Sequence, residues 1–176
     1  MMIFTIGHSI RPFMDTLALL QENKVSVVAD VRAIPRSRRN PQYNSEAFAK
    51  ALALERIGYR HMPMLGGMRK PKPDSPNQGL KDQGFRGFAD YMQTPEFETA
   101  LGSLMDLALA NRVAYMCAEA KPSDCHRSLI SDALTARGVE VRHIFGPGRT
   151  ERHVYTDHAE VQGGRVRYPF GLESRV

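Results

Sequence analysis

Two cysteines eight residues apart, the second followed by a histidine and an arginine, carry most of the chemistry available to this chain. They lie in Val113-Ala114-Tyr115-Met116-Cys117-Ala118-Glu119-Ala120-Lys121-Pro122-Ser123-Asp124-Cys125-His126-Arg127, where an apolar run ends at Cys117 and a Pro-Ser-Asp helix-start signal follows. The reading is strand, tight loop, then a helix from Asp124 to Arg137 stopped by Gly138. It predicts Cys125 in the first helical turn, among unpaired backbone N–H groups and at the positive end of the helix dipole, where thiolate is favoured over thiol. Arg127 adds a planar cation, and free N–H groups beside a guanidinium also suit phosphate or carboxylate oxygens. The structural alternative is a small buried cysteine beside a capped helix whose His126 and Arg127 face solvent.

Other costly polar residues fall at the ends of apolar runs. Gly7-His8-Ser9 follows the first run, Asp30-Val31-Arg32 ends the second, Gly66-Gly67 follows the third and Cys117-Ala118-Glu119 ends the fourth. In open α/β sheets the carboxyl edge of the strands forms the ligand crevice, so these four segments are read as one composite site. Asp30 leaves a buried strand and needs a partner, which Arg32, Arg36 or His8 supplies, as a structural ion pair or as a catalytic carboxylate. Glu119 has the same choice between pairing an arginine and acting as a general base. His8 is a proton shuttle or a satisfied donor at a strand end. Gly66-Gly67 permits close backbone approach, without the lysine and serine of a Walker-type phosphate loop. The candidate catalytic residues are therefore His8, Asp30, Glu119, Cys125 and His126, and the candidate anion-binding residues are Ser9, Arg32, Arg36, Gly66, Gly67 and Arg127.

Apolar strand-like runs alternating with amphipathic helices must position these groups. Ile3 to Ile6, Val25 to Val31, Tyr59 to Met62, Arg112 to Cys117 and Glu140 to Phe145 read as strands, the second almost wholly apolar as in a buried parallel strand. Phe13 to Asn23, Ser45 to Gly58, Phe85 to Met92 and Glu96 to Ala110 read as helices, the last capped by Thr94 with Pro95 at its first position. Gly66 to Gly84, broken by Pro71, Pro73 and Pro76, reads as a long mobile loop covering the crevice. Gly146-Pro147-Gly148 breaks the pattern, and two β-leaning runs about Gly163-Gly164 suggest a C-terminal β-hairpin. The expected fold is α/β, a mainly parallel, Rossmann-like sheet flanked by helices in one domain spanning 1–176, with a core of 1–145 and an extension of 146–176.

A hydrophobic content of 42% with 24% charged residues fits a globular chain, and no apolar stretch approaches the roughly 18 residues of a membrane span. The start lacks a basic leader before its apolar run, and two cysteines cannot make a disulfide framework, so a cytoplasmic, reducing setting is expected; the two thiols can still pair under oxidation. The net charge of +5 points only weakly to polyanions. Its distribution says more, with Arg32, Arg36, Arg38 and Arg39 in one loop and Arg69, Lys70 and Lys72 in another. No motif names a cofactor.

The ordered motifs Thr5-Ile6-Gly7-His8-Ser9, Asp30-Val31-Arg32 with Pro35 and Ser37, Tyr59 with Leu65-Gly66-Gly67, and Cys117-Ala118-Glu119 followed by Cys125-His126-Arg127 resemble the bacterial and archaeal domain-of-unknown-function family numbered 488. The resemblance runs from Ile3 to Ile144. It implies a compact α/β domain whose polar motif residues form an active site, and it brings no particular activity with it.

Three functions fit these residues. The first is an enzyme acting on a phosphate-bearing substrate, a nucleotide or nucleic acid, with Arg32, Arg36 and Arg127 holding anions, Cys125 as nucleophile or redox thiol, and His8, Glu119 and His126 as acid/base groups. The second is a nucleic-acid-binding module without chemistry, using Arg32, Arg36, Arg38, Arg39 and Lys70 on phosphates and Tyr43 or Tyr59 for stacking. The third is a transition-metal site of Cys117, Cys125 and His126, with Glu119 beside them. The first is the reading adopted here.

Overall fold

A computed structural model describes residues 1–170. The period-two and helical patterns fold as β1 (Met2–Gly7), α1 (Phe13–Glu22), β2 (Val27–Asp30), α2 (Ser45–Leu54), β3 (Gly58–His61), α3 (Gln83–Tyr91), α4 (Pro95–Ala110), β4 (Val113–Cys117), α5 (Arg127–Thr135), β5 (Glu140–Gly146), β6 (Arg149–Arg152), β7 (Glu160–Gln162) and β8 (Arg165–Arg167). The main sheet has the order β3-β2-β4-β1-β5-β6. Its first five strands are parallel, and β6 runs antiparallel to β5. The expected α/β sheet flanked by helices is thus observed. Its order differs from the doubly wound 3-2-1-4-5-6 by exchange of the first and fourth strands. That exchange puts the carboxyl end of β4 between those of β2 and β1, with Gly7 opposite Cys117 and Asp30 opposite Met116.

Alternation along the central strands feeds two cores. Ile3, Val113, Tyr115 and Val141 face α3, α4 and α5, packing on Phe88, Leu101, Leu104, Leu129 and Ile130. Phe4, Ile6, Val28, Ala114 and Met116 face α1 and α2, packing on Leu17, Leu20, Phe48 and Leu52. Each such side chain stabilises the fold by about 1.5–3 kcal/mol, so the sheet is held firmly from both faces. Among the described residues no helix is long and apolar enough to cross a membrane.

Three local expectations change. The helix expected from Asp124 begins at Arg127, because Pro122–Asp124 closes a separate 3-10 turn in which the Cys125 N–H donates to the Pro122 carbonyl. Cys125 is therefore extended, at φ −145° and ψ 149°, and sits before the helix rather than in its first turn. The break at Gly146-Pro147-Gly148 is a hairpin turn leading into β6, an Arg-Thr-Glu-Arg strand with no apolar run to announce it. The expected terminal hairpin is β7 and β8, turning through Gly163 and Gly164, both at positive φ as a two-residue hairpin turn demands. The extension's last six residues, 171–176, lie outside the described residues.

The long loop after Gly66 is no free flap. Asp90 of α3, 3% exposed, accepts from Ser75 Oγ at 2.6 Å, Asn77 Nδ2 at 2.8 Å and the Lys72 N–H at 2.8 Å. The Gly79 N–H donates to the Tyr168 carbonyl, and the Tyr168 N–H donates to Asn77 Oδ1. One carboxylate thus ties the middle of the loop to α3 and to the chain after β8, leaving its two ends to border the crevice. Asp90→Ala strands buried donors that cost about 1–3 kcal/mol each when unpaired. It should lower the unfolding free energy by about 3 kcal/mol and speed amide exchange across the loop ahead of β1 and β4. Urea unfolding with site-resolved hydrogen exchange checks this, and a variant as stable as the parent contradicts the anchoring role.

Candidate functional site

A crevice of about 650 Å³ opens at the carboxyl ends of β1, β2 and β4. His8, Ser9, Arg32, Arg36, Gly67, Cys117, Glu119, Cys125 and His126 line it, so nine of the sequence-derived candidates share one cavity with Cys117 included. Asp30, Gly66 and Arg127 do not line it; they lie behind its walls.

On the α1 and α2 side, Asp30 is wholly buried and fully engaged. Its Oδ1 accepts from Arg32 N–H at 3.1 Å and Arg32 Nε at 2.9 Å, and its Oδ2 accepts from Arg32 NH2 at 2.6 Å and the Tyr59 hydroxyl at 2.7 Å. Arg32 NH2 also donates to the Tyr43 carbonyl at 2.7 Å, so the pair braces the loop that follows β2. Of the two roles open to Asp30, the geometry supports the structural ion pair. His8 is stacked on Tyr43, with ring centroids 4.1 Å apart. Its Nδ1 lies 2.7 Å from the Ser9 carbonyl and its Nε2 lies 3.2 Å from Arg32 NH1; the carbonyl can only accept and the guanidinium can only donate, so the ring is neutral with its proton on Nδ1. Burial, ahead of the Arg32 charge, pushes its pKa down to about 4. With both nitrogens committed, His8 is a satisfied strand-end donor rather than a free shuttle. Tyr43 is fully buried and the Tyr59 hydroxyl is held by Asp30, which removes both from the base-stacking role.

On the other side, the sequence placed the Arg127 guanidinium near Cys125 or in solvent, and the fold places it against Cys117. Arg127 is 1% exposed. Its Nε donates to Cys117 Sγ at 3.0 Å, its NH1 to Thr5 Oγ1 at 2.9 Å, and its NH2 to the carbonyls of Glu119 at 2.7 Å and Ala120 at 3.2 Å. Gly7 makes room for this, since a Cβ there would overlap the Glu119 carbonyl and stand 2.8 Å from Arg127 NH2. Burial lowers the Arg127 pKa to about 10, which leaves it charged at neutral pH. Unpaired buried charge costs several kcal/mol, yet no carboxylate bridges this guanidinium among the described residues. The nearest ionisable group is the Cys117 thiol. Glu119 Oε2 lies 3.1 Å from the same sulfur.

Cys125 has a different neighbour. Its Sγ is 3.5 Å from His126 Nδ1, while His126 Nε2 donates to the Val31 carbonyl at 3.1 Å, which fixes the neutral tautomer with Nδ1 free to accept. Burial pushes the His126 pKa down to about 4. Gly67 is required here, because a Cβ would press on His126 Nδ1 at 2.5 Å. The two cysteine sulfurs are paired in direct contact, with Cα atoms 7.6 Å apart. An S–S bond normally spans Cα atoms roughly 4.4–6.8 Å apart.

Charge divides the mouth of the crevice. Arg36 is exposed, and its side chain makes no hydrogen bond among the described residues; Arg38 and Arg39 stand beside it in sequence, also exposed. Asp82, Glu119 and Asp124 line the same cavity. Cys117, Glu119 and Cys125 bring ligand atoms within 4.8 Å of one another, a set in which Glu119 replaces the His126 of the expected metal trio. Arg127 opposes a cation there, since its Nε–H already occupies the Cys117 sulfur.

Sequence reasoning gave Thr5 no role, put Gly7 in the composite site without a role of its own, and offered Tyr43 only as a stacking platform. Only the Thr5-Ile6-Gly7 run at a strand end could have marked Thr5 and Gly7. Nothing local marks Tyr43, which arrives from the far end of the loop after β2.

Three buried histidines must be neutral in this fold: His8 and His126, both near 4, and His143, pushed by burial down to about 3. In the unfolded chain each titrates near 6.5, so lowering the pH makes unfolding take up protons. This stability is fully present above about pH 6.5 and is lost as the pH falls toward about 4. Around pH 5 the unfolding free energy should fall by about 4 kcal/mol per pH unit, the value for three protons. Urea unfolding between pH 7 and 5 reads the slope directly, and a flat profile would contradict the assigned tautomers.

Residues 10–134 match the family described as Domain of unknown function DUF488. No curated protein and no solved structure matches the chain. The matched segment holds β2, β3, β4, both cysteines, His126 and Arg127, and stops before β5. A match over that much of the chain, carrying the two-cysteine strand end and the Cys-His-Arg motif with it, makes the protein a member of the domain-of-unknown-function family DUF488.

Proposed function

We propose that the crevice is the active site of an enzyme doing thiol chemistry on a small phosphate-bearing substrate, with Cys117 as nucleophile and Cys125 as its partner thiol. The observation that carries this reading is the buried Arg127 Nε at 3.0 Å from Cys117 Sγ, with Glu119 Oε2 at 3.1 Å. The cation favours the thiolate and the carboxyl group takes the thiol proton. Attack by Cys117 then forms a bond from sulfur to the electrophilic centre and breaks the bond to the leaving group, to which Glu119 returns the proton. His126 orients Cys125 through Nδ1. Arg36 gives the substrate's anionic group a cation not otherwise engaged. The acidic lining from Asp82 and Asp124 disfavours a polynucleotide lying along the crevice, and the burial of Tyr43 and the hold of Asp30 on the Tyr59 hydroxyl take away its stacking platforms. Those two facts favour a small molecule over nucleic acid.

The test uses reduced protein with Cys125→Ser, so that ultraviolet thiolate absorbance reports Cys117 alone. Its midpoint should lie below the ordinary thiol value of about 8.5 by at least one unit. Inorganic pyrophosphate should slow iodoacetamide labelling of Cys117, and Arg36→Ala should weaken that protection about tenfold, the loss of one charge-assisted contact. A midpoint at or above the ordinary value overturns the thiol reading; a sulfur-to-metal absorption band on adding Co(II) would favour the metal alternative.

A further inference from the structure

Behind Arg127 a line of buried polar side chains runs away from the crevice, and the chemistry above makes no use of it. Thr5 and His143 are register partners on β1 and β5, and Thr5 Oγ1 lies 2.9 Å from His143 Nδ1. His143 Nε2 lies 2.9 Å from His153 Nδ1, just past β6, and His153 Nε2 lies 2.7 Å from Asp132 Oδ1 on α5. Asp132 also accepts from the Thr156 N–H at 3.0 Å and the Tyr168 hydroxyl at 2.7 Å. Thr5, Asp132, His143, His153 and Tyr168 are all at most 9% exposed.

A buried carboxylate at one end gives this line a single polarity. Asp132 can only accept, so His153 carries a proton on Nε2, and in the neutral ring Nδ1 is then an acceptor. His143 must then donate from Nε2 and accept at Nδ1. The Thr5 hydroxyl proton is in turn committed to His143, leaving an oxygen lone pair for Arg127 NH1. In this polarity Thr5 Oγ1 donates to His143 and accepts from Arg127 NH1, so one hydroxyl joins the histidine line to the buried guanidinium. Burial, ahead of any neighbouring charge, pushes the His143 pKa down to about 3, so this ring is neutral throughout the neutral range.

From this geometry we infer that His143, His153 and Asp132 are positioning residues of the thiol site, acting through Thr5 to hold the Arg127 guanidinium against the Cys117 sulfur. The inference rests on the reading of Cys117 as a thiolate. It also gives the chain beyond β5 a role, because His153, Thr156 and Tyr168 follow the family-matched segment, and all three fasten that chain to Asp132. A network serving stability alone would leave the thiol untouched when altered. A positioning network moves it.

The experiment compares Thr5→Val, Thr5→Ser, His143→Phe and His143→Asn in the full, reduced chain with Cys125→Ser, reading the Cys117 thiolate midpoint and urea stability together. Thr5→Val and His143→Phe should raise the midpoint by about one unit, a tenfold loss of thiolate below it. Thr5→Ser keeps the hydroxyl and should restore the parental value; His143→Asn keeps an acceptor for Thr5 and should lie between. An unchanged midpoint in folded Thr5→Val and His143→Phe, with a low parental midpoint, overturns this inference and leaves the thiol reading standing. An ordinary parental midpoint overturns both. Should the variants fail to fold, imidazole nitrogen NMR of the unaltered protein decides: neutral His143 and His153, both protonated at Nε2, support the inference, and a proton on His143 Nδ1 at neutral pH overturns it.

Discussion

A guanidinium with almost no exposure, and with no carboxylate bonded to it among the described residues, is the constraint around which the crevice is organised. Arg127 begins α5 and points into the sheet edge, where the ends of β1 and β4 supply Thr5 and Cys117 and the loop after β4 supplies two carbonyls. A buried charge of this kind is expensive unless hydrogen bonds and an opposite charge surround it. The hydrogen bonds come from the backbone and Thr5. Beside the guanidinium stand the Cys117 sulfur and, next to that sulfur, the Glu119 carboxyl group, on which the proposed thiol chemistry rests.

The rest of the site conforms to that placement. Gly7 is small because the Glu119 carbonyl and Arg127 occupy the space of its side chain, and Gly67 is small because His126 does the same on the opposite wall. The sheet order matters equally, since β4 between β2 and β1 puts the Cys117 end between Asp30 and Gly7. The α1 and α2 wall uses a different device. Its arginine, Arg32, is neutralised by a bidentate carboxylate two residues away, which makes that wall a rigid brace. Two buried arginines at one sheet edge thus do opposite things, and the difference lies in whether a carboxylate is within reach.

Much of this was legible in the sequence where local patterns decide the outcome. Thr94-Pro95 starts α4, with the Thr94 side chain accepting from the Phe97 N–H, and Gly163-Gly164 turns the terminal hairpin. Four strand ends carrying costly polar residues did gather at one crevice. The failures are those of long-range geometry. Pro122 diverted the start of α5 into a 3-10 turn, and that moved Cys125 out of the helix and swung Arg127 toward Cys117. Nothing near Asp30 in the sequence could tell a brace from a catalyst, because its second partner, Tyr59, comes from the next strand. Asp90, Asp132 and the histidines of β5 and the chain after β6 showed no signal at all, since each is paired with residues 10 to 138 positions away.

The account stands on the contact between one cation and one sulfur, so replacing the cation tests it most directly. In reduced Arg127→Met, the thiolate midpoints of Cys117 and Cys125 can be followed separately by pH-dependent alkylation and peptide mapping. The account predicts that Cys117 rises to the ordinary thiol value of about 8.5 or above, while Cys125, which faces His126, moves far less. An unmoved Cys117, or a shift confined to Cys125, would contradict it.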